Sequence, residues 1–233
     1  TIGGLTTGIA ASYVGTEADL VAGGELEVDG VRAMFYAGYA EGPAHVSIVA
    51  GVGYHEFDSE RSALVGSASG ETEGVSFDGL VEGGYDFDFG KLTAGPLISL
   101  GYAGAEIHGF RETGSLAPLL VKRDYEDSLR SRVGFRVGGD GEMGGFAVSG
   151  ELRAQWQHEY LDDNRSVGAF FANGAGGPFT VFGPSLGKDS VILGAGMSAE
   201  FSETVSGYLN YEAEFGRANS DRHTIQLGVQ IAY

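Results

Sequence analysis

The sequence predicts an all-β protein, an antiparallel up-and-down transmembrane β-barrel. Three observations favour this fold class. Apolar and polar residues alternate with period two in ten separate segments, which is the pattern of strands with one apolar face. No stretch of roughly 18 or more apolar residues is present to form a membrane-spanning helix. The faces predicted to point inward carry charged and very small residues, whereas small soluble barrels fill their interior with apolar side chains.

Composition narrows the possible functions. The chain has 233 residues, a length that suits one barrel domain. Its formal net charge of −18 argues against a nucleic-acid partner, since phosphate binding needs clustered Lys and Arg. It contains no cysteine to form a disulfide or a cysteine-ligated metal site, and its five His residues lack metal-binding spacing. We therefore expect no cofactor and no bound metal.

Ten segments of the same kind follow one another along the chain. In each of them large apolar or aromatic residues occupy alternate positions, and Gly, Pro, Asp or Ser cluster between the segments. About 9–11 residues are enough for a tilted strand to cross a bilayer. The ten alternating faces cover residues 5–13, 31–39, 46–54, 77–87, 92–102, 129–137, 146–160, 191–201, 205–215 and 225–233.

The tenth segment is the most informative. Its apolar face alternates with Gln, Gly and Ala, and it ends on an aromatic residue that is also the last residue. This resembles the C-terminal assembly signal of bacterial outer-membrane barrels, although alternation alone also fits a half-buried strand of a soluble sandwich. The predicted assembly signal consists of Ile225, Leu227, Val229, Ile231 and Tyr233.

The connections between segments alternate in length. Short connections are expected near residues 40–43, 89–91, 139–142 and 202–204. Long connections are expected near 58–75, 111–127 and 161–188, with shorter ones near 15–25 and 216–222. Bacterial barrels show this asymmetry, with short periplasmic turns and long loops at the cell surface. We therefore place the C-terminus on the periplasmic side.

Aromatic residues fall in two belts at the ends of the predicted strands. Tyr54, Tyr102 and Trp156 would lie toward the outer surface, and Tyr39 and Tyr233 toward the periplasm. Aromatic rings with a polar tip favour both membrane interfaces, so we predict that these five residues are interface anchors.

The predicted inward faces hold the candidate site residues. Three arginines of the sixth segment lie beside charged residues of the seventh, so opposite charges should come within reach of one another. Two alternatives stay open: the charges only brace the wall, or they line a pore and contact a polypeptide inside it. The predicted lumen-lining residues are Arg130, Arg132, Arg136, Glu151, Arg153, Glu159, Glu212 and Glu214.

Several stretches together resemble the translocator domain of classical monomeric autotransporters, the type V secretion proteins of Gram-negative bacteria. They are the last segment, Ser128-Leu129-Arg130-Ser131-Arg132-Val133-Gly134, Trp156-Gln157-His158-Glu159-Tyr160, Phe179-Thr180-Val181-Phe182-Gly183-Pro184 and Tyr208-Leu209-Asn210-Tyr211-Glu212-Ala213-Glu214-Phe215. The resemblance covers nearly the whole chain. It implies a monomeric outer-membrane barrel that moves an N-terminal passenger to the cell surface.

The resemblance also implies partners and a strand count. The partners are the lipid bilayer, the barrel-assembly machinery, and the protein's own passenger with a linker helix inside the barrel. Lipopolysaccharide is a further expected partner, because divalent cations can bridge it to acidic loops exposed at the cell surface. The implied barrel has twelve strands, so residues 1–233 would form a barrel domain that lacks two N-terminal strands and the passenger. The first and tenth segments should then not pair with each other.

Two alternative functions remain open from the sequence. One is a stand-alone ten-stranded outer-membrane protein, such as an adhesin or small porin. The other is the barrel anchor of a surface esterase. The stretch Gly183-Pro184-Ser185-Leu186-Gly187 fits the G-x-S-x-G pattern, but an esterase needs a strand, a sharp turn and a helix there. We predict no such helix and expect that the chain is not an enzyme.

Overall fold

The computed structural model describes residues 4–19, 23–63, 65–161, 166–174, 176–183, 185–218 and 220–231. All of its regular structure is β. The strands in chain order are β1 Leu5–Asp19, β2 Gly24–Glu41, β3 Ala44–Ser62, β4 Ser67–Tyr85, β5 Phe87–Asp88, β6 Leu92–Ile107, β7 Phe110–Arg111, β8 Leu119–Val121, β9 Asp124–Met143, β10 Phe146–Glu159, β11 Ser166–Phe171, β12 Phe179–Phe182, β13 Asp189–Glu200, β14 Val205–Arg217 and β15 Ser220–Ile231.

Ten long strands form one antiparallel, curled sheet in the order β1-β2-β3-β4-β6-β9-β10-β13-β14-β15, and β5 pairs with β6 beside them. These ten strands correspond to the ten predicted segments, and the predicted all-β, antiparallel class is confirmed. Consecutive long strands are neighbours throughout, which is the up-and-down arrangement. Among the described residues no ladder joins β1 to β15, as the sequence led us to expect.

The sheet has two chemically different faces because side chains alternate along each strand. One face carries large apolar residues that stay exposed, for example Ile9 at 85% and Leu227 at 81%. The other face carries most of the charged and hydroxyl groups, and few apolar side chains are fully buried anywhere in the described chain. An exposed apolar face of this extent is typical of a protein surface that contacts lipid.

The strands extend well beyond the predicted spans, so several predicted loops are wrong. The region 58–75 is not a long loop: β3 continues to Ser62, β4 begins at Ser67, and these two residues pair. The regions 15–25 and 216–222 are also largely strand. The regions 111–127 and 161–188 contain short strands. The extensions escaped prediction because their outward positions become acidic, as at Glu27 and Asp58. The apolar residues there, such as Val28 and Phe57, lie on the inward face, so the outward apolar alternation stops.

One short turn also lies elsewhere than predicted. Residues 139–142 belong to β9, and the turn consists of Gly144 and Gly145, flanked by the Met143–Phe146 pair. Both glycines have positive φ, 63° and 84°. A two-residue hairpin with both central residues in this region is a type I′ turn, which matches the twist of the strands and favours Gly-Gly.

A second, smaller sheet comes from the connections between β6 and β9 and between β10 and β13. Its strand order is β12-β11-β8-β7. Thr113 forms a bridge with Ser69 of β4, and the Thr72 hydroxyl donates to the carbonyl of His108. These contacts join the small sheet to the end of β4 that lies away from the short turns.

Candidate lumen surface of the curled sheet

The polar face is the concave face of the sheet. Arg153 on β10 reaches Glu212 on β14, at 3.3 Å, across the intervening strand β13. Arg132 on β9 lies 3.7 Å from the same carboxylate, across two strands. Strands are spaced about 4.8 Å apart, so such contacts need the sheet to curl toward the face that carries them. The predicted inward face therefore lies on the inside of the curl.

Glu159 is the most deeply placed of the predicted charges, with 1% of its surface exposed. Its carboxylate accepts hydrogen bonds from Arg130 Nε at 2.7 Å, Ser128 Oγ at 2.6 Å and the Leu129 N–H at 3.0 Å. A buried carboxylate is stable only with such partners. The register explains the contact, because Arg130 and Glu159 are directly opposite across the β9–β10 ladder.

A second cluster centres on Glu214, which is 4% exposed. The side-chain amide of Gln157 and the hydroxyl of Ser190 each donate to its Oε1 at 2.8 Å. The Gln157 carbonyl in turn accepts from Arg132 Nε at 2.8 Å. Arg217 Nε lies 3.9 Å from the Glu214 carboxylate. A chain of polar contacts thus links β9, β10, β13 and β14 on one face.

A third cluster lies nearer the short turns. Arg136 is hydrogen-bonded through Nε and Nη2 to Asp86, the Nε contact being 2.9 Å. Its Nη1 lies 3.4 Å from Glu151, and its Nη2 lies 3.3 Å from His45 Nδ1 on β3. One guanidinium therefore connects strands that are three positions apart in the sheet. Arg32 and Asp78 form a comparable pair between β2 and β4.

All eight residues predicted to line the lumen lie on this face. Each of them contacts a residue of opposite charge or another polar residue, and Glu151 does so through Arg136. The predicted set of lumen-lining residues does not include several members of the clusters: Arg32, His45, Asp86, Gln157, Ser190 and Arg217. Their signal was present, because each is a polar residue at an inward position. For Arg32, His45 and Asp86 the alternation gave no partner, since their partners lie two or three strands away. Gln157 and Ser190 contact residues of adjacent strands.

The outer end of the concave face is partly covered by the small sheet. Glu112, 5% exposed, binds Arg61 of β3 through two bonds of 2.7 and 2.6 Å, and it also accepts from the Leu119 N–H. The Glu112 hydrogen bond raises the pKa of Arg61 above its usual value. Phe110 packs over Gly70, where a larger residue on β4 would collide with the ring. The connection between β6 and β9 is therefore fixed against the inner wall.

The predicted interface aromatics lie on the apolar face. Tyr39, Tyr54 and Trp156 are 41%, 41% and 50% exposed, and Tyr102 is half-buried with its hydroxyl 3.0 Å from Tyr125. Of the predicted assembly signal, Ile225, Leu227, Val229 and Ile231 are exposed at 66–81% along β15. Tyr233 lies outside the described residues. Their membrane roles stay predictions.

A row of carboxylates begins just beyond the aromatic row. Tyr54 donates its hydroxyl to Glu73, and Tyr13 donates to Asp29. The hydrogen bond from Tyr54 holds the pKa of Glu73 below its usual value, and His108, 3.4 Å away, acts in the same direction. Beyond these pairs, on β2, β3 and β4, Glu27, Asp58 and Glu71 stand in direct register, and no basic side chain of these three strands' described residues lies in register with them.

The serine motif has no catalytic geometry in the described part of the chain. Ser185 and Gly187 are followed by β13, which begins at Asp189, so a strand stands where an esterase needs a helix. Pro184 lies outside the described residues. Within the described ranges, no three His, Asp or Glu side chains are grouped to hold a metal ion. No helix in those ranges has the length and apolar character needed to cross a membrane.

Comparison with known proteins gives one family and similar folds. The model of the autotransporter beta-domain family matches residues 2–212. The translocator domain of the autotransporter NalP from Neisseria meningitidis superposes with a TM-score of 0.78 at 14% identity, covering 99% of this chain and 76% of that one. The beta domain of the Bordetella autotransporter BrkA gives 0.73 at 21% identity, covering 98% and 84%. The search of curated proteins returned no match.

Proposed function

Because this chain belongs to the autotransporter beta-domain family, we propose that its polar concave face lines the passage used by the passenger on its way to the cell surface. Membership of the family makes the chain an outer-membrane anchor that takes part in translocating its passenger domain. The observation that carries the proposal is the continuous set of ion pairs inside the curl, opposite an exposed apolar face.

The paired charges of the concave face suit a water-filled passage better than a closed protein core. In the clusters around Glu159, Glu214 and Arg136 each carboxylate has a partner within its own cluster, so these charges need no further polypeptide to neutralise them. A wall whose charges are already paired offers an extended chain no single strong ionic bond. The same residues therefore brace the wall and keep it wet, and the two alternatives from the sequence are compatible.

The barrel itself needs more than these ten strands. Unpaired N–H and C=O groups in hydrocarbon each cost several kcal/mol, and the described ladders leave one free edge on β1 and another on β15. We propose that two further strands close the ring between these edges, so that residues 1–233 form the larger part of a twelve-stranded barrel domain. Exposed Ile225 to Ile231 would then face lipid and serve, with Tyr233, as the assembly signal.

The finer roles follow from this arrangement. The partners we propose are the bilayer, the barrel-assembly machinery and a linker helix in the lumen, with the barrel acting as a monomer. We propose that the end with the small sheet faces the cell surface and that its carboxylates contact lipopolysaccharide there. The barrel itself is proposed not to be an enzyme, because the serine motif has a strand after it.

Single cysteines test the passage, because the chain has no cysteine of its own. Ser198→Cys places a thiol on the polar face of β13, beside Ser149 at 3.1 Å, and Ala195→Cys places one on the apolar face of the same strand. A passenger that carries one cysteine and is stalled during secretion should form a disulfide with the Ser198→Cys protein only, as seen on non-reducing gels. Equal cross-linking from Ala195→Cys, or none from either variant, would contradict the proposal.

A further inference from the structure

The concave face carries a row of uncharged side chains on the strands opposite the arginine clusters. Tyr36 on β2, Val49 on β3 and Leu80 on β4 are directly opposite one another in successive ladders. Glycines continue the row at both ends, because Tyr36 packs over Gly8 of β1 and Leu80 reaches Gly101 of β6. Tyr36 and Leu80 are 42% and 37% exposed, and Val49 is half-buried. The row is therefore an open apolar surface on an otherwise polar face.

A carboxylate without a partner lies directly beside this row. Glu82 follows Leu80 by two residues on β4, so its side chain is also on the concave face, nearer the short turns. It is half-buried, and none of the described side chains forms an ion pair or hydrogen bond with it. Arg136, on the same face, is already engaged by Asp86 and Glu151. The surface thus fits a partner that brings an apolar group and a cation together.

We propose that this surface docks the linker helix, which presents a large apolar side chain to the row and a Lys or Arg to Glu82. The inference rests on the proposed function, which includes a linker helix in the lumen. Leu80 and Glu82 are about 6.7 Å apart along β4, which is about 5 Å along the barrel axis at a strand tilt of about 40°. One turn of an α-helix rises about 5.4 Å, so a helix along the axis matches this spacing.

The direction of the helix sets the order of its two contact residues. The passenger precedes the barrel in the chain and leaves at the outer end, so the linker helix runs from that end toward the short turns. Glu82 lies nearer the short turns than Leu80. The cation therefore follows the apolar residue three or four positions later, which keeps both on one face of the helix. An extended segment would need the same two residues only two positions apart.

Photo-cross-linking in the full-length protein, with its native upstream sequence, tests the docking surface. Leu80 is replaced by p-benzoylphenylalanine, outer membranes are irradiated, and mass spectrometry identifies the attached peptide. We expect a peptide from the linker of the same polypeptide. Val81 is the matched control position, because it is the next residue and lies on the apolar face, and it should give no linker product. Heat-modifiable migration shows whether each variant folds, and Val49 is the second position if the Leu80 variant does not.

A third variant separates this inference from the proposed function. It carries the same photo-cross-linker at Ser198, on the concave face of β13, and should give less linker product than Leu80. Linker products from Ser198 in equal or greater yield would overturn the docking surface and leave the helix in the lumen. Linker products from neither position would overturn both. Passenger peptides alone at Leu80 would assign the row to the extended chain in transit, and the docking surface would again be wrong.

Ion conductance in planar bilayers tests the charge at Glu82, because a helix that leaves the wall opens the lumen. Glu82→Gln should raise the fraction of time in the open state about threefold, the effect of losing one partly exposed ion pair. Asp140→Asn is the matched control, since it removes another concave-face carboxylate, opposite Ser149 on the β9–β10 ladder, and should leave the open fraction unchanged. Equal effects of the two substitutions, or no effect of Glu82→Gln, would show that no cation of the helix meets Glu82 and would overturn the proposal.

Discussion

Carboxylates on the concave face and carboxylates on the outer extension of β2, β3 and β4 differ in their charged neighbours. On the concave face, Glu159, Glu212 and Asp86 each lie within ion-pair distance of an arginine. On the outer extension, Glu27, Asp58 and Glu71 stand directly across from one another, like charge against like charge. The first set is half-buried or buried and the second is exposed. Water screens the exposed row, whereas no such screening reaches Glu159, so only the inner set needs built-in partners.

The largest expected effect comes from breaking an inner cluster. Glu159→Ala leaves Arg130, Ser128 and the Leu129 N–H without their shared acceptor, so we expect it to lower the free energy of unfolding by about 3 kcal/mol. Urea unfolding of the refolded barrel in vesicles, followed by heat-modifiable migration on gels, measures this. Glu60→Ala on the outer extension is the control, with an expected change within about 0.5 kcal/mol. Similar losses for both variants would remove the contrast between the two regions.

An intermediate effect should come from placing a basic side chain among the acidic residues of the outer extension. Asp58→Lys converts two like-charge pairs, with Glu27 and Glu71, into two opposite-charge pairs. We expect it to stabilise the β3–β4 extension by about 1 kcal/mol at low salt. Hydrogen exchange of the β3 amides reports the local stability.

Two comparisons make this result specific. Asp58→Asn only removes repulsion and should gain less than Asp58→Lys. The gain should also shrink at high ionic strength, because salt screens exposed charges. A gain that stays the same in both salt conditions would point to a cause other than charge.

The smallest expected effect concerns Glu73, which stands at the start of the outer extension, just beyond the aromatic row. Its pKa lies below the usual value because the Tyr54 hydroxyl donates to it. A carboxyl of this kind contributes stability above its unfolded-state pKa, and the contribution is lost as the pH falls through the folded-state pKa. Tyr54→Phe should therefore raise the pKa of Glu73 and start that loss at a higher pH.

Carbon-13 NMR titration of the Glu side chains measures the shift. Tyr39→Phe, at the opposite end of the strands, is the control and should leave Glu73 unchanged. If Tyr54→Phe also leaves it unchanged, the hydroxyl bond does not set the ionisation of Glu73.

The inner and outer regions also differ in how far sequence predicts them. Period two identified the ten strands and placed Arg130 and Glu159 on one face, because a bilayer forces apolar residues onto alternate positions. Beyond the aromatic row the outward positions of β3 are acidic, as at Asp58 and Glu60, and the apolar Phe57 lies on the inward face. The extension of β3 to Ser62 therefore does not continue the outward apolar pattern.

The candidate site was predictable as a face but not as a set of partners. Arg130 and Glu159 meet because they are opposite in adjacent strands, a contact that spacing and neighbour order suggest. Arg136 contacts His45 only because the sheet curls, and the spacing of residues in the sequence does not predict this curvature. The small sheet was missed for a related reason: β8 has three residues, too few for any period to show.

The length of β3 sets the height at which the molecule opens to the outside. Residues 55–62 continue the strand past Tyr54. At about 3.3 Å per residue and a tilt of about 40°, this stretch rises about 20 Å above the aromatic row. In the orientation proposed above, the wall would stand above the headgroup layer as a rim, with the small sheet held at its inner side by Arg61 and Glu112. With that orientation, a polypeptide leaving the proposed lumen would be released at the top of this rim, and a protease in the medium would meet the rim before it met the bilayer.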